Sequence, residues 1–263
     1  MAQTIAEIRE ALKTADRAEY EALSRALAAD ERKGVVAALK TAQRRLEAEE
    51  AEAARLAGMY SFQRQLAGGR IAVGLDEVGR GPVAGPLAIG AVVLPDEPRI
   101  EGVNDSKQLS PERREEIAAV VRSVAVAWDI EYIQPADIDE HGMTWALHTA
   151  FSRAIAAIDA KLAQRGEELG AVLLDGNAQH LDPREVNIVK GDGKCASIAA
   201  ASIIAKVDRD ALMVRYAQKY PEYGFDSNKG YASADHIEAI KQHGLSPIHR
   251  ATFCRAWTQE SLF

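Results

Sequence analysis

The sequence predicts an α/β protein: a five-stranded mixed sheet flanked by helices, with a helical C-terminal part and an all-α N-terminal extension. Residues 1–68 are rich in Ala, Glu, Arg and Leu, contain no proline and show no strand-like alternation. Gly68 and Gly69 end that pattern, so we predict a boundary between residues 1–68 and residues 69–263. Beyond it, short apolar runs come first close together and then separated by helical stretches, which favours a mixed sheet.

The N-terminal segment has the periodicity of helices. Ile5, Ile8 and Leu12 recur at helical spacing. Asp30 precedes a longer helical stretch over 31–60, with a weak point at Gly34. Nothing in the segment carries chemistry, so a small helical bundle or packing arm is favoured over a recognition module.

Later elements follow from apolar runs and their boundaries. A helix is predicted to start at Ser110-Pro111-Glu112, which offers an N-cap, a first-position proline and an early acid. Two long helices are predicted over 143–165 and 195–220, the second apolar on nearly every face of its first half and therefore buried. The five predicted strands are 71–75, 87–95, 123–133, 171–175 and 185–192.

Composition limits the class of protein. The 263 residues carry a net charge of −7, so charge alone gives no support to nucleic-acid binding. No apolar run approaches the roughly 20 residues that span a bilayer, and the start of the chain lacks a signal-peptide layout. Cys195 and Cys254 are far apart and are expected to be reduced thiols. We therefore expect a cytoplasmic protein without a membrane partner.

The stretch GLDEVGRGPVAGPL, residues 74–87, places Asp76 beside Glu77 and follows them with Gly79 and Gly81. Successive side chains of a strand point to opposite faces. The two acids are therefore expected to share a site only if the chain turns sharply right after the strand. The glycines permit such a turn.

Two nucleotide-binding loops are excluded by spacing. The glycines at 79, 81 and 85 do not fit G-x-G-x-x-G, and Pro82 lies where the helix should open. The run Gly191–Lys194 is followed by Cys195, not Ser or Thr, and lacks the gap of a phosphate-binding loop.

Four acids recur where predicted strands end: Asp76, Glu77, Asp175 and Asp192. Functional sites of open sheets gather at such ends. An all-oxygen cluster suits Mg²⁺ or Mn²⁺ better than zinc. A single Asp at a strand end is more often a cap or turn residue, but capping does not explain the tandem acids.

Taken together, several motifs resemble the bacterial type 2 ribonuclease H family, ribonuclease HII, over residues 69–263. Residues 1–68 loosely resemble the helical extension of some members. The motifs are DEVGRGPVAGPL (76–87), NDSKQLS (104–110), LLDGN (173–177), KGDGKCASIAAASIIAKVDRD (190–210), YGFDSNKGYASADHIEAI (223–240) and SPIHRATF (246–253).

The resemblance implies a ribonuclease H-like fold and a metal-dependent endoribonuclease. Asp76, Glu77, Asp175 and Asp192 match the family's catalytic, metal-binding carboxylates, with Asp76 the best candidate to bridge two Mg²⁺ or Mn²⁺ ions. The implied reaction cleaves RNA in an RNA–DNA hybrid or in duplex DNA and leaves a 3′-hydroxyl and a 5′-phosphate.

The resemblance also implies a reader of RNA-to-DNA junctions. Gly79, Arg80 and Gly81 match the family loop that senses the 2′-hydroxyl. Tyr231 matches the tyrosine that stacks on the next sugar and favours deoxyribose there. Together they imply cleavage 5′ of a single ribonucleotide embedded in DNA, the first step of ribonucleotide excision repair.

Basic residues are candidates for phosphate contacts. Lys107, which resembles a family position near the substrate backbone, and Lys206 are the substrate-binding candidates. Further candidates are Lys190, Lys194, Lys229 and Arg250, with a structural role as the alternative for Arg250 and its neighbour His249. The chain departs from the family's usual His-Lys-Gly-Tyr-Gly-Thr at 228–233 and Gly-Pro at 246–247, which affects the positioning of Tyr231 and leaves the acids untouched.

Two alternatives stay open at the level of sequence. One is another nuclease of the same fold, such as a resolvase or integrase, which needs no 2′-hydroxyl sensor. The other is a non-catalytic nucleic-acid-binding protein whose acids are structural. For the favoured reading the partners are RNA–DNA hybrids and ribonucleotide-containing duplex DNA, and the chain is expected to be a monomer.

Overall fold

The computed structural model describes residues 3–177 and 179–258. Its contacts divide the chain into two compact units, one of residues up to 57 and one of residues from 58 onward. The boundary predicted from sequence lies further along, after Gly68. None of the helices in the described ranges combines the length and apolar character that a bilayer crossing requires.

The described residues form ten α-helices and five strands. The helices are α1 (Ile5–Thr14), α2 (Arg17–Ala26), α3 (Lys33–Leu66), α4 (Pro111–Val124), α5 (Pro135–His141), α6 (Met143–Ala163), α7 (Ala196–Lys219), α8 (Phe225–Asn228), α9 (Ala234–His243) and α10 (Ala251–Thr258). The strands are β1 (Ala72–Val78), β2 (Leu87–Val93), β3 (Ala127–Ile133), β4 (Ala171–Asp175) and β5 (Glu185–Ile188).

The first unit contains α1, α2 and most of α3. Ile8 and Leu12 are buried in its core, and Ile5 is partly buried against them, as their helical spacing predicts. Gly34 lies in the first turn of α3 and does not interrupt it. A methyl group there would come within 2.8 Å of Ile5 Cγ2, so the glycine permits close packing of α1.

The end of α3 belongs to the second unit and supports it. Gln63 Oε1 accepts a hydrogen bond from the amide of Ser197 in the first turn of α7 (2.9 Å). The N-cap residue Cys195 makes no capping bond of its own, so the glutamine satisfies a donor that would otherwise be unpaired. The Tyr60 hydroxyl likewise accepts from the amide of Ile100 (3.2 Å).

The predicted five-stranded mixed sheet is confirmed. Its strand order is β3-β2-β1-β4-β5. The β1–β2 and β2–β3 pairs are antiparallel, whereas β1–β4 and β4–β5 are parallel. β3 begins at Ala127, later than the predicted residue 123, because 123 and 124 complete the last turn of α4.

Helices cover both faces of the sheet. α6 buries Phe151 and Ile158 against the odd-numbered residues of β1 and the even-numbered residues of β4. α7 lies on the opposite face at unusually short range. A methyl group at Gly74 would come within 2.3 Å of the Ile198 amide, and one at Gly90 within 2.2 Å of the Ala201 carbonyl oxygen.

Candidate active site

Two of the four acids lie next to each other on neighbouring parallel strands, at the end of the pairing between β1 and β4. Leu75 pairs with Leu174, so Asp76 and Asp175 are the next residues along β1 and β4. The sequence predicts a sharp turn directly after the strand at Asp76, but β1 does not turn there. It continues through Glu77 to Val78, paired with β2, and the chain turns only at Gly79.

Strand alternation separates Asp76 from Glu77. Asp76 shares the α7 face with Gly74, and the Ser202 hydroxyl of that helix lowers the pKa of its carboxyl group as a hydrogen-bonding neighbour. Glu77 has the register of Leu75, whose side chain lies in the core on the α6 face. Its carboxylate forms an ion pair with Arg80 (3.5 Å).

The turn that carries the fourth acid is held against β4. The amide of Gly191 donates to Asp175 Oδ1 (2.6 Å), at the start of the turn Gly191–Gly193. A methyl group at Gly191 would lie 2.7 Å from Ile198 Cδ1, so the turn packs closely on α7. Asp192 is thereby brought to the same edge of the sheet and is only 8% exposed.

Burial and mutual repulsion disfavour ionisation of these acids. Burial raises the pKa of Asp76 to about 7, and the charges of Glu77 and Asp175 add to that rise. Burial also raises the pKa of Glu77, with Asp175 adding and Arg80 opposing. The pKa of Asp192 is raised by burial and then by its Asp175 neighbour.

The loop that carries Ser106 reaches the acidic cluster through a contact between two serine hydroxyls. The Ser106 and Ser202 oxygens are 2.9 Å apart, and both side chains are buried. Either serine hydroxyl can be the donor of this bond, so it links the Ser106 loop to the neighbour of Asp76 on α7. The neighbouring Lys107 opposes the rise in the pKa of Asp192, so its ammonium acts on the acidic cluster.

The four acids are coupled but do not form a closed coordination shell. Within residues 3–177 and 179–258, no three His, Cys, Asp or Glu side chains are close enough together to hold a metal ion. The donors at this edge are carboxylate oxygens, the ligand type that Mg²⁺ and Mn²⁺ prefer.

The segment Gly79–Pro86, called the reading loop below, lies beside Tyr231. Gly79 has φ +87°, and a methyl group there would be 2.2 Å from Arg209 Nε, so the fold itself requires this glycine. A methyl group at Gly81 would meet only Tyr231 Cε1, at 3.9 Å. Tyr231 is 50% exposed and free to contact a ligand.

Two fully buried arginines hold the reading loop. The prediction that Arg250 contacts a substrate phosphate is wrong. It is 0% exposed and donates instead to main-chain carbonyls of the loop, including those of Gly79 (2.6 Å) and Pro82 (2.9 Å). Arg209, also 0% exposed, donates to the carbonyl oxygens of Ala84 (3.0 Å) and Pro86 (2.9 Å).

Three of the other candidate lysines are engaged by neighbouring groups of the chain. Lys206 forms an ion pair with Asp210 (2.7 Å), one turn along α7. Lys194 donates to the Val189 carbonyl (2.8 Å), and Lys229 donates to that of Asp226.

Sequence reasoning missed Arg209 and Ser202, although a signal was present. Ile198, Ser202, Arg209 and Met213 recur at helical spacing and are all buried on α7. A polar residue that falls on the buried face of a helix needs a specific partner. Here the partners are Asp76 for the serine and the reading-loop carbonyls for the arginine.

Comparison with known proteins assigns the family. The family model described as Ribonuclease HII matches residues 73–256, and the model described as Ribonuclease HII N-terminal domain matches residues 4–67.

The chain belongs to the ribonuclease HII family.

Members of the ribonuclease HII family are endoribonucleases, and this chain is accordingly a hydrolase of the ribonuclease H type. Ribonuclease HII of Clostridium acetobutylicum is 43% identical over 232 residues, which are 86% of this chain and 88% of the relative.

Solved structures confirm the ribonuclease H-like fold. Ribonuclease H2 of Pyrococcus horikoshii OT3 is 30% identical with a TM-score of 0.58, covering 70% of this chain and 95% of that chain. Bst-RNase HIII, solved in complex with Mn²⁺, is 21% identical with a TM-score of 0.60, covering 73% of this chain and 71% of that chain.

Proposed function

We propose that this chain is a divalent-metal-dependent endoribonuclease that cuts RNA in RNA–DNA hybrids and cuts 5′ of single ribonucleotides in duplex DNA. The products are a 3′-hydroxyl and a 5′-phosphate, and the second activity begins ribonucleotide excision repair. The observation that carries the proposal is the register of β1 and β4, which brings Asp76 and Asp175 to one sheet edge beside a glycine loop and an exposed tyrosine.

The acids fit Mg²⁺ or Mn²⁺ by their chemistry. Asp76, Glu77, Asp175 and Asp192 would hold the ions, and a bound cation would offset the burial and the mutual repulsion that raise the pKa of three of them. Bst-RNase HIII, which has a related fold, was crystallised in complex with Mn²⁺. When bound, two such ions supply an activated water and stabilise the departing O3′.

The chain's own residues do the positioning. Ser202 orients the Asp76 carboxylate through its hydrogen bond, and the Gly191 amide orients that of Asp175. Lys107, beside Asp192, supplies positive charge for the substrate backbone near the cluster. Lys206, engaged with Asp210, supplies a further backbone contact if that ion pair exchanges for a phosphate.

Ribose selection is assigned to the reading loop and Tyr231. Because Gly81 has no side chain and little protein around it, a sugar can approach its main chain closely. The 2′-hydroxyl is the group that distinguishes RNA from DNA at such a site. The half-exposed ring of Tyr231 offers a flat surface to the following deoxyribose.

The test is cleavage-site mapping on three duplexes: all DNA, DNA with one ribonucleotide, and an RNA–DNA hybrid, each with Mg²⁺ and with Mn²⁺. We expect a single cut 5′ of the ribonucleotide, multiple cuts in the hybrid and none in DNA. Cutting of plain DNA would favour a resolvase-like or integrase-like nuclease. Binding without cleavage under every metal condition would favour a non-catalytic protein.

Within the described residues all four acids come from one chain, so we propose that the enzyme acts as a monomer in the cytoplasm, where its DNA substrate lies. Light scattering coupled to gel filtration, with and without hybrid substrate, tests the monomer. Activity that requires a concentration-dependent dimer would contradict it.

A further inference from the structure

The guanidinium groups of Arg250 and Arg209 are buried without a carboxylate partner among the described residues. Every hydrogen-bond acceptor of the two groups is a main-chain carbonyl oxygen. Arg250 donates to Gly79, Arg80, Pro82 and Gly85, and Arg209 donates to Ala84, Pro86 and Lys229. Burial of a charge without an opposite charge is unfavourable, and apolar side chains would fill the same space at lower cost. The hydrogen bonds to the carbonyl groups are therefore the contribution that the arginines make and apolar side chains cannot.

The sequence of the reading loop shows why it needs these hydrogen bonds. The stretch GRGPVAGP has no helical or strand hydrogen-bond ladder of its own, and most of its carbonyl groups point to the two arginines. Gly79 and Gly85 make room for this arrangement, because a methyl group at either would lie within 3.0 Å of Arg209. The loop conformation is therefore specified by side chains from elsewhere in the sequence.

The same contacts join the reading loop to the loop that carries Tyr231. Arg209 donates to both Ala84 and Lys229. The Gly230 carbonyl accepts from the amides of Val83 (2.9 Å) and Ala84 (3.2 Å). A displacement of one loop would thus require a displacement of the other.

The bonds also determine which polar groups remain for a ligand. The Arg80 carbonyl accepts from Arg250 (3.0 Å), whereas the amides of Arg80 and Gly81 donate to no acceptor within the described part of the chain. Two neighbouring amides without an internal partner, on a loop that approaches Tyr231, can donate to oxygen atoms of a sugar or phosphate.

We propose that Arg250 and Arg209 are positioning residues for ribose selection, which hold the reading loop and Tyr231 as one rigid unit. This inference rests on the proposed cleavage at single ribonucleotides. The hydrogen bonds of the two arginines go to neither the four acids nor the turn Gly191–Gly193. They act on substrate choice through the loop, which is connected to the acids through the ion pair of Arg80 with Glu77.

The test compares full-length wild type with Arg250→Lys and Arg250→Met. The measured quantity is kcat/KM on the one-ribonucleotide duplex divided by kcat/KM on a continuous hybrid. We expect this ratio to fall about tenfold in Arg250→Met, since a loop misplaced by about an ångström loses its oriented contacts. The loss should lie mainly in KM for the one-ribonucleotide duplex. Arg250→Lys, which keeps the charge but cannot reach four carbonyls, should give an intermediate ratio.

A matched control separates positioning from stability. Ile155→Ala removes buried volume from the core between α6 and the sheet, a cluster of buried residues that contains none of residues 79–86. Each variant is assayed at the same number of degrees below its own Tm. Under these conditions Ile155→Ala should leave the ratio of the two kcat/KM values unchanged. Hydrogen exchange should show faster exchange at residues 79–86 and 228–231 in Arg250→Lys, but not in Ile155→Ala.

Three results would overturn the inference. The first is an equal loss on both substrates that Ile155→Ala reproduces. The second is failure of both arginine variants to fold, which would assign the residue to stability alone. The third is a wild type that cuts hybrids but not the one-ribonucleotide duplex, which would refute the proposed function as well and is recognisable before any variant is made.

Discussion

The Nε2 atoms of His236 and His249 lie 3.0 Å apart in the interior below Tyr231. The Ser246 amide donates to His249 Nδ1 (2.9 Å), so that nitrogen carries no proton and Nε2–H donates to His236. His236 in turn donates from Nδ1 to the Tyr231 carbonyl (2.8 Å). A proton added to either ring would set two N–H groups against each other, so the network requires both histidines to be neutral.

A pH-dependent stability follows from this pair. Burial and the neighbouring His236 lower the pKa of His249 to about 4, from 6.5 in the unfolded chain. Between these values the unfolded state binds more protons than the folded state, so the free energy of unfolding should fall as pH is lowered from 6.5 to 4. The His249 contribution is about 2 kcal/mol after allowance for partial solvent screening.

Urea unfolding at several pH values, for wild type and His249→Gln, measures this contribution as a difference. The difference should change across the window from pH 6.5 to 4, and the exposed His148→Gln should show no such change. Parallel stability curves for wild type and His249→Gln would contradict the assigned network.

Asp76→Asn should abolish cleavage and stabilise the metal-free protein. The substitution removes a buried charge whose pKa is raised to about 7 by burial and by repulsion from Glu77 and Asp175. Ionising that group at pH 8 opposes folding, so its removal should raise the free energy of unfolding by ~2 kcal/mol in EDTA. Urea unfolding at pH 8 and a hybrid-cleavage assay measure the two effects.

Asp182 provides the matched control, because Arg184 lowers the pKa of its carboxyl group. Asp182→Asn should therefore destabilise the chain and leave cleavage intact. Retained cleavage in Asp76→Asn, or the same direction of stability change in both variants, would remove Asp76 from the proposed site.

Ser202→Ala should weaken Mn²⁺ binding and slow cleavage while the fold persists. The hydroxyl is the buried donor to Asp76, and loss of a hydrogen bond to a charged group corresponds to roughly tenfold in rate or affinity. Ser106→Ala should have a smaller effect, since it acts through Ser202. Ser197→Ala, also buried on α7 but paired with Cys195, is the control. Calorimetric Mn²⁺ titration that gives equal affinities for all three would refute the relay.

Gly79→Ala and Gly81→Ala should separate two requirements for glycine in the reading loop. Gly79 has positive φ and no room for a methyl group, so its substitution should lower Tm. Gly81 has room for a methyl group, so its substitution should change the free energy of unfolding by less than about 1 kcal/mol. The Gly81 variant should nonetheless cleave the one-ribonucleotide duplex more slowly, because the added methyl group meets the sugar. Unimpaired cleavage would show that the substrate does not approach that main chain.

The point of truncation at the N-terminus should decide whether the remainder folds. Removal of residues 1–57 leaves Tyr60 and Gln63 in place, and we expect a folded protein that cuts its substrate but binds it more weakly. Removal of residues 1–68 takes away the bond to the first turn of α7 and should lower Tm. Circular dichroism and binding assays check both truncated proteins, and equal Tm values would show that the end of α3 is dispensable.

The sheet could be predicted because its strands are apolar runs bounded by turn residues. Of the four acids, Asp175 ends its strand as predicted, whereas β1 continues two residues beyond Asp76 and Asp192 lies in the turn after β5. The start of β3 was misplaced since Val124 suits a strand and a helix equally, and tertiary packing decides between them. The role of Arg250 could not be predicted from its charge. Its partners are carbonyl groups brought close only by folding, and the sequence neighbourhood of a residue does not report such contacts.

The contact between α7 and the sheet limits how this enzyme can be made more heat-resistant. Exchanging strand glycines for alanine is an ordinary route to a more rigid protein. At Gly74 and Gly90 that route is closed, because the added carbon would overlap the helix main chain. Pushing the helix outward would also carry Ser202 and Arg209 away from the groups they serve. Improvement is better sought on exposed faces of α1, α2 or α4.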